Sequence, residues 1–217
     1  MRSVWLLALI PIAYLIGSVP FGLLIGKAKG IDPRTAGSGN IGATNLGRLL
    51  GGKFFALVFT LDLLKGMAPV LAAGALLLFA PRYPQDYLLW LAVGAAAIFG
   101  HMFSIFLGFK GGKGVATSAG VLLGMFPYYT LPGLIAVAVW GLVFQRTRYV
   151  SLASMVGAAF FPVAYVLVGL SMGWPVTRGQ WPLLAFAILI PALIVYKHRG
   201  NIARLRTGTE SRFAKRA

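Results

Sequence analysis

Lys110-Gly111-Gly112-Lys113-Gly114 sets two ammonium groups among three glycines. Glycine lets successive backbone N–H groups turn toward an anion, and lysine adds a compact positive charge, so the chemistry on offer is phosphate binding. The stretch is not a Walker A loop. Gly114 follows Lys113 where serine or threonine belongs, and Leu107 stands where the first glycine belongs. The short apolar segment that follows, 115–127, would add the positive end of its helix dipole. The competing reading is a pair of lysines that fix membrane topology beside a glycine hinge.

A second stretch runs Gly37-Ser38-Gly39-Asn40-Ile41-Gly42-Ala43-Thr44-Asn45, with Arg48 just beyond it. Ser, Thr and Asn donors join glycine backbone here, and Arg48 offers a bidentate fork for phosphate. The letters fit the dinucleotide fingerprint, and Asp62 lies 20 residues after Gly42. That fingerprint needs a preceding strand and a βαβ unit, whereas apolar helical segments flank this stretch. A turn capped by Ser38 and Asn40 is the alternative. A third stretch, His198 through Asn201, Arg204, Gly208 and Glu210, leaves the last apolar segment directly. A basic tail lying on acidic lipid heads would need its arginines but not His198, Asn201 or Glu210. Asp62 and Lys65 sit three apart inside an apolar run, where ionisable residues are candidates for function; the same spacing permits a local ion pair. Ser151, after Arg146 and Arg148, reads by itself as a helix cap.

The elements that must position these residues are membrane helices. Of 217 residues 59% are hydrophobic and only 11% charged, against about half and a quarter in soluble domains. Mean hydropathy is +0.83. Seven apolar segments stand out, at 4–25, 54–79, 87–107, 115–127, 129–144, 151–170 and 182–196. They show no alternation of a barrel strand, so helix is the spanning form. The fourth and fifth are short and interrupted by Pro127 and Pro132, a feature of broken helices that line cavities. The first continues past Gly17 without a cleavage site, so it is expected to be retained. Pairs such as Gly22/Gly26 and Gly120/Gly124 are expected to let helices pack closely. The fold expected is all-α: one polytopic transmembrane domain over residues 1–217, with polar motifs at 37–48, 110–117 and 198–210.

Net charge is +16, from 20 Lys and Arg against four acids. With seven spans and the N-terminus outside, 16 of the basic residues fall on cytoplasmic segments and three, Arg2, Arg82 and Arg178, fall outside. The positive-inside rule therefore predicts N-out, C-in. In this setting the charge does not mark a nucleic-acid protein. There is no cysteine, hence no disulfide framework or thiolate site. No metal-ligand cluster and no paired carboxylates occur, and neither His101 nor His198 begins an H-x-x-x-x-D motif. A transporter for an anionic metabolite would use broken helices and a basic mouth, but all three polar motifs fall on one side and leave no outer gate. A scaffold subunit would have no use for Lys-Gly-Gly-Lys.

These three motifs, in this order between spans, resemble those of the PlsY family, the bacterial membrane glycerol-3-phosphate acyltransferases that use acyl phosphate. The likeness runs from the first span to the tail. It implies transfer of a fatty acyl group from acyl phosphate to the sn-1 hydroxyl of glycerol 3-phosphate, giving 1-acylglycerol 3-phosphate (lysophosphatidate) and phosphate. This would be the first step of phospholipid synthesis, at the cytoplasmic side of the bacterial inner membrane. No cofactor or metal is expected; the expected partners are the two substrates and membrane lipid, with no nucleic acid, and a monomer is compatible with this reading. Carried over by motif, Lys113, His198, Asn201 and Ser151 are the expected catalytic residues. Ser38, Gly39, Asn40, Asn45, Arg48, Lys110, Gly111, Gly112 and Thr117 are the expected phosphate contacts.

Overall fold

The structure, a computed structural model, describes residues 2–79 and 83–213, with only the backbone of Arg2. Arg82, Lys215, Arg216 and the Arg2 side chain, counted above for orientation, lie outside the described residues. All regular structure among the described residues is helical. The chain divides into two compact units, Met1–Phe126 and Pro127–Ala217.

In the first unit, the first apolar segment is α1 (Arg2–Ser18) and α2 (Phe21–Ala28), broken at Val19-Pro20 because proline has no N–H to continue the ladder. A polar loop leads to α3 (Ala43–Leu50), then α4 (Gly52–Leu76) and α5 (Pro84–Met102). A 3-10 turn (Ile105–Leu107) and the lysine–glycine loop lead to α6 (Val115–Gly124). Asp86 Oδ2 accepts the Tyr83 N–H at 3.2 Å and so caps the start of α5. α5 lies along α1, where Gly17 abuts Ala97 and Gly100 abuts Tyr14, so small residues set the approach as expected for membrane helices. Gly120 abuts Leu63, and Gly124 faces Met67 and Val70 of α4. Gly22 and Gly26 instead pack on the loop, at Ile41, Ile31 and Pro33, so that pair seats a loop rather than a helix. α3 buries Leu46 against Val58 of α4, with Phe55 and Phe59 alongside.

In the second unit α7 (Thr130–Thr147) and α8 (Val150–Ser171) pair across a tight turn with Arg148 in the left-handed region. They are followed by α9 (Trp181–Lys197) and α10 (Arg199–Arg206). Tyr129 fills this unit's core, edge-on to Phe161 and Tyr165, and its hydroxyl donates to the Leu183 carbonyl, which satisfies a buried O–H.

Among the described residues, five helical stretches are long and apolar enough to cross a membrane: Ser3–Ala28, Gly52–Leu76, Pro84–Leu107, Thr130–Thr147 and Val150–Ser171. α9 reaches the length only together with α10, bent from it by 56°, which gives at most six. The fourth expected segment is the ten-residue α6. At 1.5 Å per residue it is roughly 15 Å long, about half a hydrocarbon core. Leu7, Leu167, Leu170 and Leu189 are exposed on these helices, as lipid-facing residues are.

Candidate active site

In the loop between α2 and α3 the organising side chain is Asn45, in the first turn of α3. It is 1% exposed. Its Nδ2 donates to the carbonyls of Asn40 at 2.8 Å, Pro33 at 3.0 Å and Ala36 at 3.1 Å. Its Oδ1 accepts the Ser38 N–H at 2.9 Å. One buried amide therefore closes the loop on itself. Gly37, at φ +61°, lies against that oxygen and leaves no room for a Cβ. Asn40 Oδ1 accepts the Gly42 N–H at 2.9 Å, an Asx turn into α3. Arg34 grips Asp32 at 2.6 Å, and those hydrogen bonds hold the Asp32 carboxyl down at about 2. The loop that results exposes Ser38 and Gly39, with Asn40 and Arg48 half-buried. The sequence groups Asn45 with the phosphate contacts; the structure turns its amide into the loop, so it shapes the site.

The second loop is braced from beneath. Gly111 N–H donates to the Met102 carbonyl at 3.2 Å and Gly112 N–H to the His101 carbonyl at 3.0 Å. A Cβ on Gly112 would run into His101 Nε2, and one on Gly111 into the His101 carbonyl. Glycine is required there by close approach. Lys110 is exposed and Lys113 half-buried. Thr117 stands apart from its motif. It is fully buried on α6, with its Cγ2 and carbonyl against Gly66 of α4, so it belongs to the helix contact and not to the loop's surface. Behind the loop Asp62, Lys65 and His101 are all buried. Lys65 Nζ lies 2.7 Å from Asp62 Oδ1 and donates to the Val19 carbonyl at 2.8 Å, while His101 Nδ1 is 3.7 Å from the same Asp62 oxygen.

In the second unit Ser151 and Asn201 meet on one carboxylate. Ser151 Oγ donates to Glu210 Oε1 at 2.8 Å and Asn201 Nδ2 to the same oxygen at 2.7 Å. Arg204 Nε donates to Oε2 at 2.7 Å. Burial by itself would raise the Glu210 carboxyl; the bonds from Ser151, Asn201 and Arg204 outweigh it and hold the group below its ordinary value. His198 Nδ1 is 2.8 Å from the Ile194 carbonyl. A carbonyl can only accept, so the neutral ring carries its proton on Nδ1 and presents Nε2 as acceptor. The tail after Glu210 is tied to the α7–α8 turn: Phe213 N–H donates to the Arg148 carbonyl at 2.9 Å, and Arg212 stacks on Tyr149.

Glu210, named in the third stretch, and His101, weighed for a His–Asp pairing, are not among the expected contacts, yet Glu210 meets Ser151 and Asn201 and His101 lies beneath Gly112. Glu210 is one of four acids in a chain of net charge +16 and sits in a basic tail, which was the available signal. Among the described residues no group of three His, Cys, Asp or Glu is placed to hold a metal ion.

A family model described as glycerol-3-phosphate acyltransferase matches residues 7–208. The glycerol-3-phosphate acyltransferase of Geotalea daltonii is 45% identical, over 93% of this chain and 94% of its own. That of Aquifex aeolicus is also 45% identical, over 95% and 98%. The crystal structure of PlsY, an integral membrane glycerol 3-phosphate acyltransferase, in its glycerol 3-phosphate form superposes with a TM-score of 0.81 at 44% identity, covering 96% of each chain. Its lysophosphatidic acid form gives 0.79 at 43% identity. With the polar loops in place between apolar helices and a match over nearly its whole length, the chain belongs to the glycerol-3-phosphate acyltransferase family.

Proposed function

We propose that this enzyme transfers a fatty acyl group from acyl phosphate to the sn-1 hydroxyl of glycerol 3-phosphate, releasing lysophosphatidate and inorganic phosphate. Membership of the family carries the acyl transfer to glycerol 3-phosphate. The glycerol 3-phosphate and lysophosphatidic acid forms of the similar PlsY structure support the acceptor and the product. What supports the acyl phosphate donor is a second loop for a second phosphate: besides the Ser38–Arg48 loop, the Lys110–Lys113 loop is a tight glycine turn bearing two lysines, with its backbone stitched to His101 and Met102. A loop of that size suits a bare phosphate and has nothing for a nucleotide or a carrier protein's thioester arm.

In the reaction the acceptor oxygen bonds to the acyl carbon, the bond from that carbon to the phosphate oxygen breaks, and phosphate leaves with the electron pair. Acyl phosphate is a mixed anhydride, so positioning and charge stabilisation supply most of the rate. Arg48, Lys110 and Lys113, with the backbone at Ser38–Asn40 and Gly111–Gly112, hold phosphate oxygens; Asn45 shapes its loop. Asn201 and His198 orient the glycerol phosphate, and Ser151 serves with them. A substrate phosphate oxygen takes the hydroxyl proton. No metal or cofactor takes part.

Purified enzyme with glycerol 3-phosphate is expected to make lysophosphatidate from palmitoyl phosphate, with one phosphate released per acyl transferred. It should use palmitoyl-CoA and acyl carrier protein thioesters slowly or not at all. Comparable turnover with a thioester would reject the donor.

We further propose that the chain lies in the bacterial inner membrane as one domain of seven crossings with the N-terminus outside. The short α6 and α9 count among the crossings, and all three polar motifs face the cytoplasm. Cysteines introduced one at a time at Arg48, Lys113 and Arg206 should then label only after permeabilisation, and one at Arg178 should label from outside intact cells. External labelling at Lys113 would overturn the orientation.

A further inference from the structure

We infer that Asp62, Lys65 and His101 form a buried positioning device that fixes the Lys110–Lys113 loop in its phosphate-binding shape; this rests on the reading of that loop as a phosphate site. An ion pair inside an apolar helix is expensive, and breaking it leaves a lone buried charge. Asp62, Lys65 and His101 are only 4%, 4% and 5% exposed, and the pair does more than bridge one helical turn. Lys65 reaches out of α4 to the Val19 carbonyl at 2.8 Å, at the Pro20 break of the first apolar segment. Asp62 Oδ1 faces His101 Nδ1 at 3.7 Å, which places a negative charge behind the imidazole on α5. The opposite edge of that ring, Nε2, lies against Gly112, and the His101 carbonyl takes the Gly112 N–H. Asp62 on α4 thus faces one edge of the ring and the loop lies against the other, while Lys65 ties the same stretch of α4 to the Pro20 break, so the ring forms the floor of the loop.

The geometry makes a reciprocal demand on two residues. Gly112→Ala should lower kcat/KM by about 100-fold, because its methyl meets the His101 ring and displaces the loop, and a misplacement of about 1 Å costs on that order. In a His101→Ala background the methyl has space, and the same glycine change should cost less than about fivefold, a coupling that only contacting residues show. Asp62→Asn/Lys65→Met removes both charges without stranding either. It should raise KM for one of the two phosphorylated substrates about tenfold, with kcat and the other KM within about threefold, the signature of lost binding and not lost chemistry. Whichever KM moves identifies the phosphate held there. Melting in detergent confirms folding of each variant. If His101→Ala turns over too slowly to assay, or the double variant does not fold, binding of glycerol 3-phosphate and of inorganic phosphate is compared between Gly112→Ala, His101→Ala and their combination.

Lys113→Ala separates the two ideas. If it leaves kcat/KM and both affinities intact, the phosphate loop itself is wrong. If Lys113→Ala is impaired but Gly112→Ala costs the same with and without the His101 ring, the positioning device is wrong.

Discussion

Lys113→Ala and Arg48→Ala are each expected to lower kcat/KM by about 10- to 150-fold while the protein stays folded in detergent. The figure follows from losing one charge-assisted hydrogen bond to a phosphate, worth roughly 1.5–3 kcal/mol, at a tenfold change per about 1.4 kcal/mol. Both side chains are half-buried, so neither is screened as a surface charge is. Lys53 provides the contrast. It is exposed at the start of α4, carries the same charge, and belongs to neither loop. Lys53→Ala should change kcat/KM by less than about threefold, the size of a rim electrostatic effect. Initial rates at varied glycerol 3-phosphate and acyl phosphate give the comparison. Equal losses at all three positions would mean that only general attraction of anions is at work, and would reject Arg48 and Lys113 as direct contacts.

The residue types of the proposed phosphate loops were plain in the sequence, because phosphate chemistry calls for a recognisable composition: glycines beside Lys110 and Lys113, and Ser38, Asn40 and Arg48 around another glycine run. What those side chains do with their hydrogen bonds was not legible. Asn45 looks like one more donor until its amide is seen closing on Pro33, Ala36 and Asn40. A motif records which groups are present, while their allocation depends on the loop's path. Thr117 shows the same limit, since position in a motif did not predict that it would be buried against Gly66. Each apolar segment read from hydropathy holds a helix among the described residues, but hydropathy could not set helix lengths. The 115–127 segment is as apolar as its neighbours, yet Met125 ends its helix after ten residues, and Pro20 divides the first segment. Long-range pairs were beyond reach altogether. Ser151 and Glu210 are 59 positions apart, and no local pattern links them.

Removing the Glu210 carboxylate should be the most damaging single change in the second unit. Glu210→Ala leaves the Ser151 hydroxyl and the Asn201 amide without their buried acceptor, and unsatisfied buried polar groups cost about 1–3 kcal/mol each. Arg204 adds less, because its side chain is 43% exposed and water can replace the carboxylate. The tail from Thr207 to Phe213 then loses its central tie to α8. Activity is expected to fall at least about 100-fold, since a displaced Asn201 of this kind is a positioning failure. Glu210→Gln keeps the shape and one acceptor oxygen, so it should recover part of the loss, whereas Asn201→Ala should not be rescued by any change at Glu210. The pH dependence has a fixed sign. The folded carboxyl lies below its ordinary value, so its stabilisation is complete above the unfolded value of about 4.3 and is lost as pH falls through the lowered one. Protease nicking of the tail, followed against pH, should therefore be flat above about pH 5 for the natural protein and should rise in more acidic buffer. Glu210→Gln should be nicked at a rate that does not respond to pH across that window. Identical pH profiles for the two proteins would show that Glu210 does not hold the tail.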